Sequence, residues 1–247
     1  MSGRREFHEE VASTQDRAIE LARAGAEEGT QVVARRQVSG RGRLDHSWAS
    51  PDGGLYLSIV LRTPAERAAW VPLALGTELA RALSREYPVP LGVKWPNDLV
   101  VVPRAGSARK LGGVLVDRVA TSAGAWAEVA GIGLNVATDL AHLPEEVRPR
   151  AASLAEFVHP PPSLDEVERL AVAAASAAAS TLRSPDGVAA IRDRCRAVLF
   201  GVGRRATVDG ATTGTIAGLG DEGELLLDQG PHRLRIRAGD VRVEGVA

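Results

Sequence analysis

The sequence predicts a mixed α/β domain, a largely antiparallel sheet backed by helices, with a small β-barrel appended at its C-terminal end. Three patterns carry that expectation. Between residues 92 and 136, short apolar runs alternate with tight turns, which favours antiparallel neighbours over long crossovers. Residues 73–83 and 164–199 repeat their apolar positions at the helical period. From Gly201 onward that period disappears, and short β-like runs follow at the spacing of a small barrel. The expected division is 1–200 for the main domain and 201–247 for the barrel.

Each element has a local reason. Residues 7–11 read as a short strand. Ser13-Thr14-Gln15-Asp16 then supplies hydroxyl caps and an early acid for a helix with Ala18, Ile19, Leu21 and Ala22 inward, and Gly25 is placed to stop it. Residues 30–36 are strand-like, whereas 37–47 form a Gly/Arg/Ser segment too polar for a core element. A strand over 55–61 precedes a helix through Leu73, Leu75, Leu79 and Leu83, with Pro72 in its first turn. Strands at 92–94, 99–102, 111–119 and 126–136 are joined by turns that include Ala105-Gly106-Ser107 and Ser122-Ala123-Gly124. The Pro160-Pro161-Pro162 loop leads into helices at 164–182 and 188–199. Strands are expected at 205–208, 213–219, 224–227 and 233–237. Trp70 and Trp126 read as core, Cys195 as a packing residue of a helix, and Arg233, Arg235 and Arg237 as one exposed strand face.

Composition limits the function classes. With 45% hydrophobic and 25% charged residues the chain has globular proportions, and at 247 residues it can bury roughly three-quarters of its unfolded surface without disulfide or metal. Thirty basic residues against 31 acidic ones argue against a protein that coats nucleic acid. The opening MSGRREFHEEV has no apolar core, and no run reaches the roughly 18–20 apolar residues of a membrane span. A lone Cys195 allows no internal disulfide, so the cytoplasm is the expected compartment, with no membrane partner. His8, His142, His159 and His232 are scattered without metal-ligand spacing.

One bias is more informative. Only Lys94 and Lys110 are lysines among the thirty basic residues, and Asn97 and Asn135 are the only asparagines. In a chain rich in Ala, Arg, Gly and Val, the survivors mark places where an ammonium or a carboxamide is hard to replace. All four fall between 94 and 135, where three of the four motifs lie.

Gln37-Val38-Ser39-Gly40-Arg41-Gly42-Arg43, closing on Trp48, brings backbone N–H groups and guanidinium forks towards one anion; its alternative is a solvated basic loop. It is neither a Walker loop nor a dinucleotide fingerprint, since the Gly spacing and the Gly-Lys-Ser/Thr are missing. Lys94-Trp95-Pro96-Asn97-Asp98 turns the chain directly after a strand and presents an ammonium, a carboxamide and a carboxylate together; its alternative is an ordinary Asn-Asp turn. Lys110-Leu111-Gly112-Gly113 and Gly131-Ile132-Gly133-Leu134-Asn135 put paired glycines inside apolar strands. Such glycines weaken a strand and admit a ligand or another backbone, or else mark a bulge.

GRGR followed by Trp, then KWPND, KLGG and GxGLN, in this order and at these intervals, resembles the signature of biotin–protein ligases, from about 13 to 136 and more weakly through the C-terminal region. The resemblance implies a catalytic domain like that of class II aminoacyl-tRNA synthetases followed by an SH3-like barrel. It implies ATP-dependent formation of biotinyl-5′-AMP and transfer of biotin to a lysine of biotin carboxyl carrier domains. By similarity, Ser13, Thr14 and Gln15 line the biotin end, and Gln37, Arg41, Gly42 and Arg43 close over biotin and the adenylate, with Gly113 beside them. Trp48 packs on the ligand, and Lys110 sits between the biotin carboxylate and the α-phosphate, with Arg41 as its catalytic companion. Lys94, Asn97, Asp98 and Asn135, with Arg43 and Trp48, belong to the nucleotide side. Mg²⁺ is held through the phosphates, and Asp98 is the one candidate protein ligand.

Two departures are visible: Gln15 stands where Asn is commoner, and Leu44-Asp45-His46 replaces a more basic continuation. Phe7 already belongs to the first catalytic strand, so no DNA-binding extension and no nucleic-acid partner are expected. The competing readings are a lipoate or octanoate ligase or transferase, and a biotin-binding sensor without catalysis.

Overall fold

The computed structural model describes residues 3–44, 46–103 and 107–244. Asp45, and Ala105 and Gly106 of the expected turn, lie outside the described residues. The main sheet has seven strands. In chain order they are β1 (Arg5–Val11), β2 (Gln31–Gln37), β3 (Gly54–Leu61), β4 (Leu91–Lys94), β5 (Asp98–Val101), β6 (Arg109–Ala120) and β7 (Trp126–Asn135). In space the order is β1-β2-β3-β7-β6-β5-β4. Only β1 and β2 run parallel, because helix α1 (Thr14–Arg23) carries the chain back between them; the other neighbouring pairs are antiparallel. The expectation of a mixed, largely antiparallel sheet is met.

Helices treat the two faces differently. On one, α2 (Val71–Glu86), α3 (Leu164–Arg183) and α4 (Gly187–Arg196) bury Leu75, Leu79, Leu83, Ala171, Ala175, Ala178 and Ile191 in one core with Leu55, Leu57, Ile59, Leu61, Ile132 and Leu134 of the sheet. The alanine stripe of α3 permits a close approach. A large-to-small change there, such as Leu79→Ala, costs about 2–5 kcal/mol. On the other face, α1 buries Ala18, Ile19 and Ala22 against Val32, Val60, Val119 and Val129. Ser13 caps α1 by accepting from the Asp16 N–H at 3.3 Å, and Gly25, at φ 91°, follows its end as expected. A ten-residue helix is only about 15 Å long and covers only part of that face.

After Gly201 comes a second, antiparallel sheet of β8 (Arg205–Val208), β9 (Thr212–Leu219), β10 (Leu225–Gln229), β11 (His232–Ile236) and β12 (Val241–Val243), in the order β11-β10-β9-β8-β12. The sequence predicts four of these strands. The fifth, β12, is only three residues long and follows Gly239-Asp240, too short to show a period. The inner side chains of this sheet, Val208, Ile216, Leu225, Leu227, Val241 and Val243, belong to the same core as α2 and α3. Among the described residues no helix is long and apolar enough to cross a membrane.

Two expectations need correction. The last helix ends at Arg196 rather than 199, because the chain leaves it to pair with β4: the Val93 N–H donates to Val198 O at 2.8 Å and the Phe200 N–H to Val93 O at 2.9 Å. Trp126 is not core. It is 55% exposed at the start of β7, with the Arg118 guanidinium 5.1 Å from its ring centroid. Trp70 and Cys195 are buried as expected.

Candidate functional site

Residues paired across antiparallel strands point to the same face. Ser58 pairs with Gly131 and Gly131 with Leu115; Gly133 pairs with Gly113, Gly113 with Asp98, and Asp98 with Lys94. One face of the sheet, beyond the N-terminal end of α1, therefore has a floor of Gly113, Gly131 and Gly133 with polar residues around it. The glycines are needed sterically. A Cβ at Gly131 would stand 2.6 Å from Gln15 Oε1, and one at Gly133 2.7 Å from the Trp48 indole.

Lys110 reaches this face through a β-bulge. The β5–β6 register passes from Leu99↔Gly112 to Val100↔Lys110, so Leu111 is the extra residue. Leu111 enters the core, and Lys110 comes to the same side as Gly113 although three positions away. Its Nζ lies 2.6 Å from Asp98 Oδ1 and 5.2 Å from the centroid of the Trp48 ring. Asp98 is held at the strand start by the turn from Lys94, whose Trp95-Pro96 bond is cis. Trp95 is buried, and its indole N–H donates at 2.9 Å to the O of Gly223, in the turn that joins β9 to β10. Asn97 donates through Nδ2 to Val114 O at 2.8 Å, fixing the turn onto β6. The Lys94 side chain has no hydrogen bond or ion pair among the described residues, which leaves its ammonium available to an anion.

At the other end of the floor, the first turn of α1 forms a connected network. Gln37 Oε1 accepts from the Thr14 N–H at 2.8 Å and from Thr14 Oγ1 at 3.1 Å, while its Nε2 donates to Ser50 Oγ at 2.8 Å. Gln15 Oε1 accepts from Ser58 Oγ at 3.0 Å, and Gln15 Nε2 donates to Asp117 Oδ2 at 2.9 Å and Val129 O at 2.8 Å. Ser13, Thr14 and Gln15 are all buried, as a rigid wall requires.

The Gly-Arg loop crosses between the two ends. Arg41 Nη1 donates to Asp16 Oδ1 at 2.9 Å and Asp117 Oδ2 at 3.2 Å; Arg43 Nη1 donates to Asn97 Oδ1 at 3.3 Å. The two arginines therefore face different walls of the groove. Gly40 and Gly42 are crowded, since a Cβ would stand 2.4 Å from Trp48 O and 3.0 Å from His46 O respectively. Trp48 lies over Gly133, and its buried Nε1 has no hydrogen-bond partner among the described residues.

The structure brings Ser13, Thr14, Gln15, Gln37, Arg41, Gly42, Arg43, Trp48, Lys94, Asn97, Asp98, Lys110 and Gly113 around one groove. Asn135 differs: it is buried, and its Nδ2 donates to Ala152 O at 3.0 Å, tying the segment after β7 to the sheet. Sequence reasoning missed Asp16, Ser58 and Asp117. Asp117 alone carried a signal, an acid directly after the apolar run Val114-Leu115-Val116 of β6.

A glycine floor with two lysines, two loop arginines and a capped helix start concentrates positive charge and backbone N–H groups on one face of the sheet, an arrangement suited to a small anionic ligand. The model of the biotin/lipoate A/B protein ligase family matches residues 8–135, just over half of the chain, and the chain belongs to that family. It is 28% identical over 247 residues to the bifunctional ligase/repressor BirA of Bacillus subtilis, covering 96% of this chain and 73% of that protein. It is 29% identical over 242 residues to the biotin–[acetyl-CoA-carboxylase] ligase of Mycobacterium tuberculosis, covering 94% and 86%. Among solved structures, the biotin protein ligase of Aquifex aeolicus in complex with biotin and ATP superposes with a TM-score of 0.82 at 28% identity, covering 99% of this chain and 100% of that one.

Proposed function

We propose that this protein is an ATP-dependent biotin–protein ligase that forms biotinyl-5′-AMP from biotin and ATP and transfers biotin to a lysine of a biotin carboxyl carrier domain, as in acyl-CoA carboxylases. The observation that carries the reading is Lys110, turned by the bulge onto the glycine floor and held 2.6 Å from Asp98. Family membership and the likeness to ligases that bind biotin and ATP support it.

In the first step a biotin carboxylate oxygen attacks the α-phosphorus of ATP and pyrophosphate leaves. Both reactants are anions, so the site must neutralise and align them before bond formation. Ser13, Thr14, Gln15 and Gln37 form the biotin wall, with Gly113 part of the floor. Lys110 supplies a compact charge where the two anions meet, and Arg41, Gly42 and Arg43 close the loop. Trp48 covers the ligand, and an acceptor atom there would satisfy its unpartnered indole N–H, a group that costs about 1–3 kcal/mol when left alone. Lys94, Asn97 and Asp98 take the nucleotide, and Asn135 supports that side from beneath.

No cluster of three or more His, Cys, Asp or Glu side chains that would hold a metal occurs among the described residues. A single carboxylate, Asp98, fits Mg²⁺ carried on the ATP phosphates, an ion that normally keeps several waters and takes one or two protein carboxylates. That ion would screen the charge of the leaving pyrophosphate. In the second step the carrier lysine amine attacks the mixed anhydride, AMP leaves, and no enzyme nucleophile is required.

On this reading residues 1–200 form the catalytic domain, similar to class II aminoacyl-tRNA synthetases, and 201–247 an SH3-like barrel, supported by the five-stranded antiparallel sheet after Gly201. On this reading the protein works in the cytoplasm, which supplies ATP and carboxylase carriers; the lone Cys195 supports that compartment. Incubation with biotin, ATP and a carrier domain should label the carrier lysine. A carrier whose acceptor lysine is replaced by arginine should remain unlabelled. Labelling by lipoate in place of biotin would overturn the substrate assignment.

A further inference from the structure

Asp117 stands where three elements meet. It lies on β6, paired with Val129, on the groove face. Its Oδ2 accepts from Gln15 Nε2 at 2.9 Å and from Arg41 Nη1 at 3.2 Å. One oxygen thus joins the floor of the groove, the first turn of α1 and the Gly-Arg loop. The other partners do not join them in the same way. The Asp16 side chain gives Arg41 a second carboxylate but makes no hydrogen bond with the Gln15 side chain, and Val129 O gives Gln15 a second acceptor but makes no hydrogen bond with Arg41.

We propose that Asp117 is a positioning residue for the ligase reaction. It fixes Arg41, and through it the loop, over the groove, and it orients Gln15 with the same oxygen. The inference rests on the ligase reading of this groove. Both bonds of Arg41 use Nη1, so the Nε and Nη2 donors of the same planar fork have no partner among the described residues and stay available to an anion. Asp117 therefore decides where the loop's positive charge stands before the ligand arrives. The pair is partly exposed, with side chains 38% and 30% accessible, so its strength depends on salt.

The test uses Asp117→Asn, which keeps an acceptor for Gln15 and removes the charge that holds Arg41, and Asp117→Glu, which keeps the charge. Preloaded labelled biotinyl-adenylate is chased with unlabelled biotin and ATP. Release from Asp117→Asn should be roughly tenfold faster than wild type, less than the full loss of a charge-assisted bond because Asp16 remains. Asp117→Glu should recover part of the difference, and KM for ATP should stay unchanged. In a double-mutant cycle with Arg41→Gln the two losses should not add, since either change ends the same contact. Without any ligand, amide exchange over residues 38–42 should rise in both Asp117→Asn and Arg41→Gln. Because the Arg41 variant leaves β6 untouched, it reads the contact even if Asp117→Asn folds poorly. Additive losses, or exchange over 38–42 equal to wild type in both variants, would overturn the role of Asp117. A wild-type protein that makes no adenylate would instead overturn the ligase reading.

Discussion

Lys110 Nζ meets Asp98 Oδ1 at 2.6 Å because a single extra residue, Leu111, turns the lysine onto the face that Asp98 occupies. Without the bulge, Lys110 would fall on the opposite side of β6 from Gly113. The Lys110 ammonium is thus positioned by strand register. Lys110→Ala should lower adenylate formation about 10²–10³-fold, the usual effect of removing one such donor. Its side chain is 39% exposed and the ion pair partly screened, so the melting temperature should hardly move. Adenylate assays beside thermal melts check both halves.

Gly133→Ala tests the floor. The new methyl would stand 2.7 Å from the Trp48 ring, and an indole cannot yield as a flexible side-chain end would. Trp48 should leave its seat, at the roughly 1–3 kcal/mol typical of overpacking, and adenylate should dissociate about 5–150 times faster. Stopped-flow release in the variant, compared with wild type, measures the change.

Arg43→Gly should separate the two half-reactions. Arg43 joins the loop to the Lys94–Asp98 turn through Asn97, while Lys110 and Asp98 are untouched. Adenylation should continue, and the reactive anhydride should escape to label lysines of unrelated proteins in the mixture. Biotin confined to the proper carrier would show that Arg43 is not the fastening.

The β1–α1 contact gives a pH dependence away from the groove. The Arg17 guanidinium, 2.7 Å from Glu6, pulls the Glu6 carboxyl from an ordinary value of 4.5 down to about 2, with His8 adding to the effect. A carboxyl depressed on folding stabilises the protein fully above its unfolded value and loses that contribution as pH falls through its folded value. Glu6→Gln should therefore be less stable than wild type above about pH 4.5, and the difference should vanish as pH approaches 2. Denaturant melts across that range provide the comparison.

Much of this molecule was legible in its sequence, for identifiable reasons. Strands β4 to β7 carry apolar runs between short turns, and Gly25 and Pro72 punctuate α1 and α2 as their backbone chemistry dictates. The scarce Lys94, Asn97 and Lys110 come together in the structure at one end of the glycine floor, where an ammonium beside Asp98 is hard to replace by a guanidinium. What was hidden depends on tertiary context. The end of α4 is set by pairing with β4, a contact that no helical period records. The bulge at Leu111 shows only in the register. Trp126 reads as core by residue type, yet lies outside with Arg118 against it. Asp16 and Ser58 act through partners 25 and 43 positions away, and Asp117 through partners 76 and 102 positions away, contacts that no local pattern records.

Biotin-dependent exchange of labelled pyrophosphate into ATP tests the central claim most directly, because it reads adenylate formation without any carrier. Wild-type protein should catalyse exchange with biotin and Mg²⁺, should fail with lipoate, and should lose the activity in Lys110→Ala. Exchange driven by lipoate, or no exchange by well-folded wild-type protein with biotin, would contradict the account.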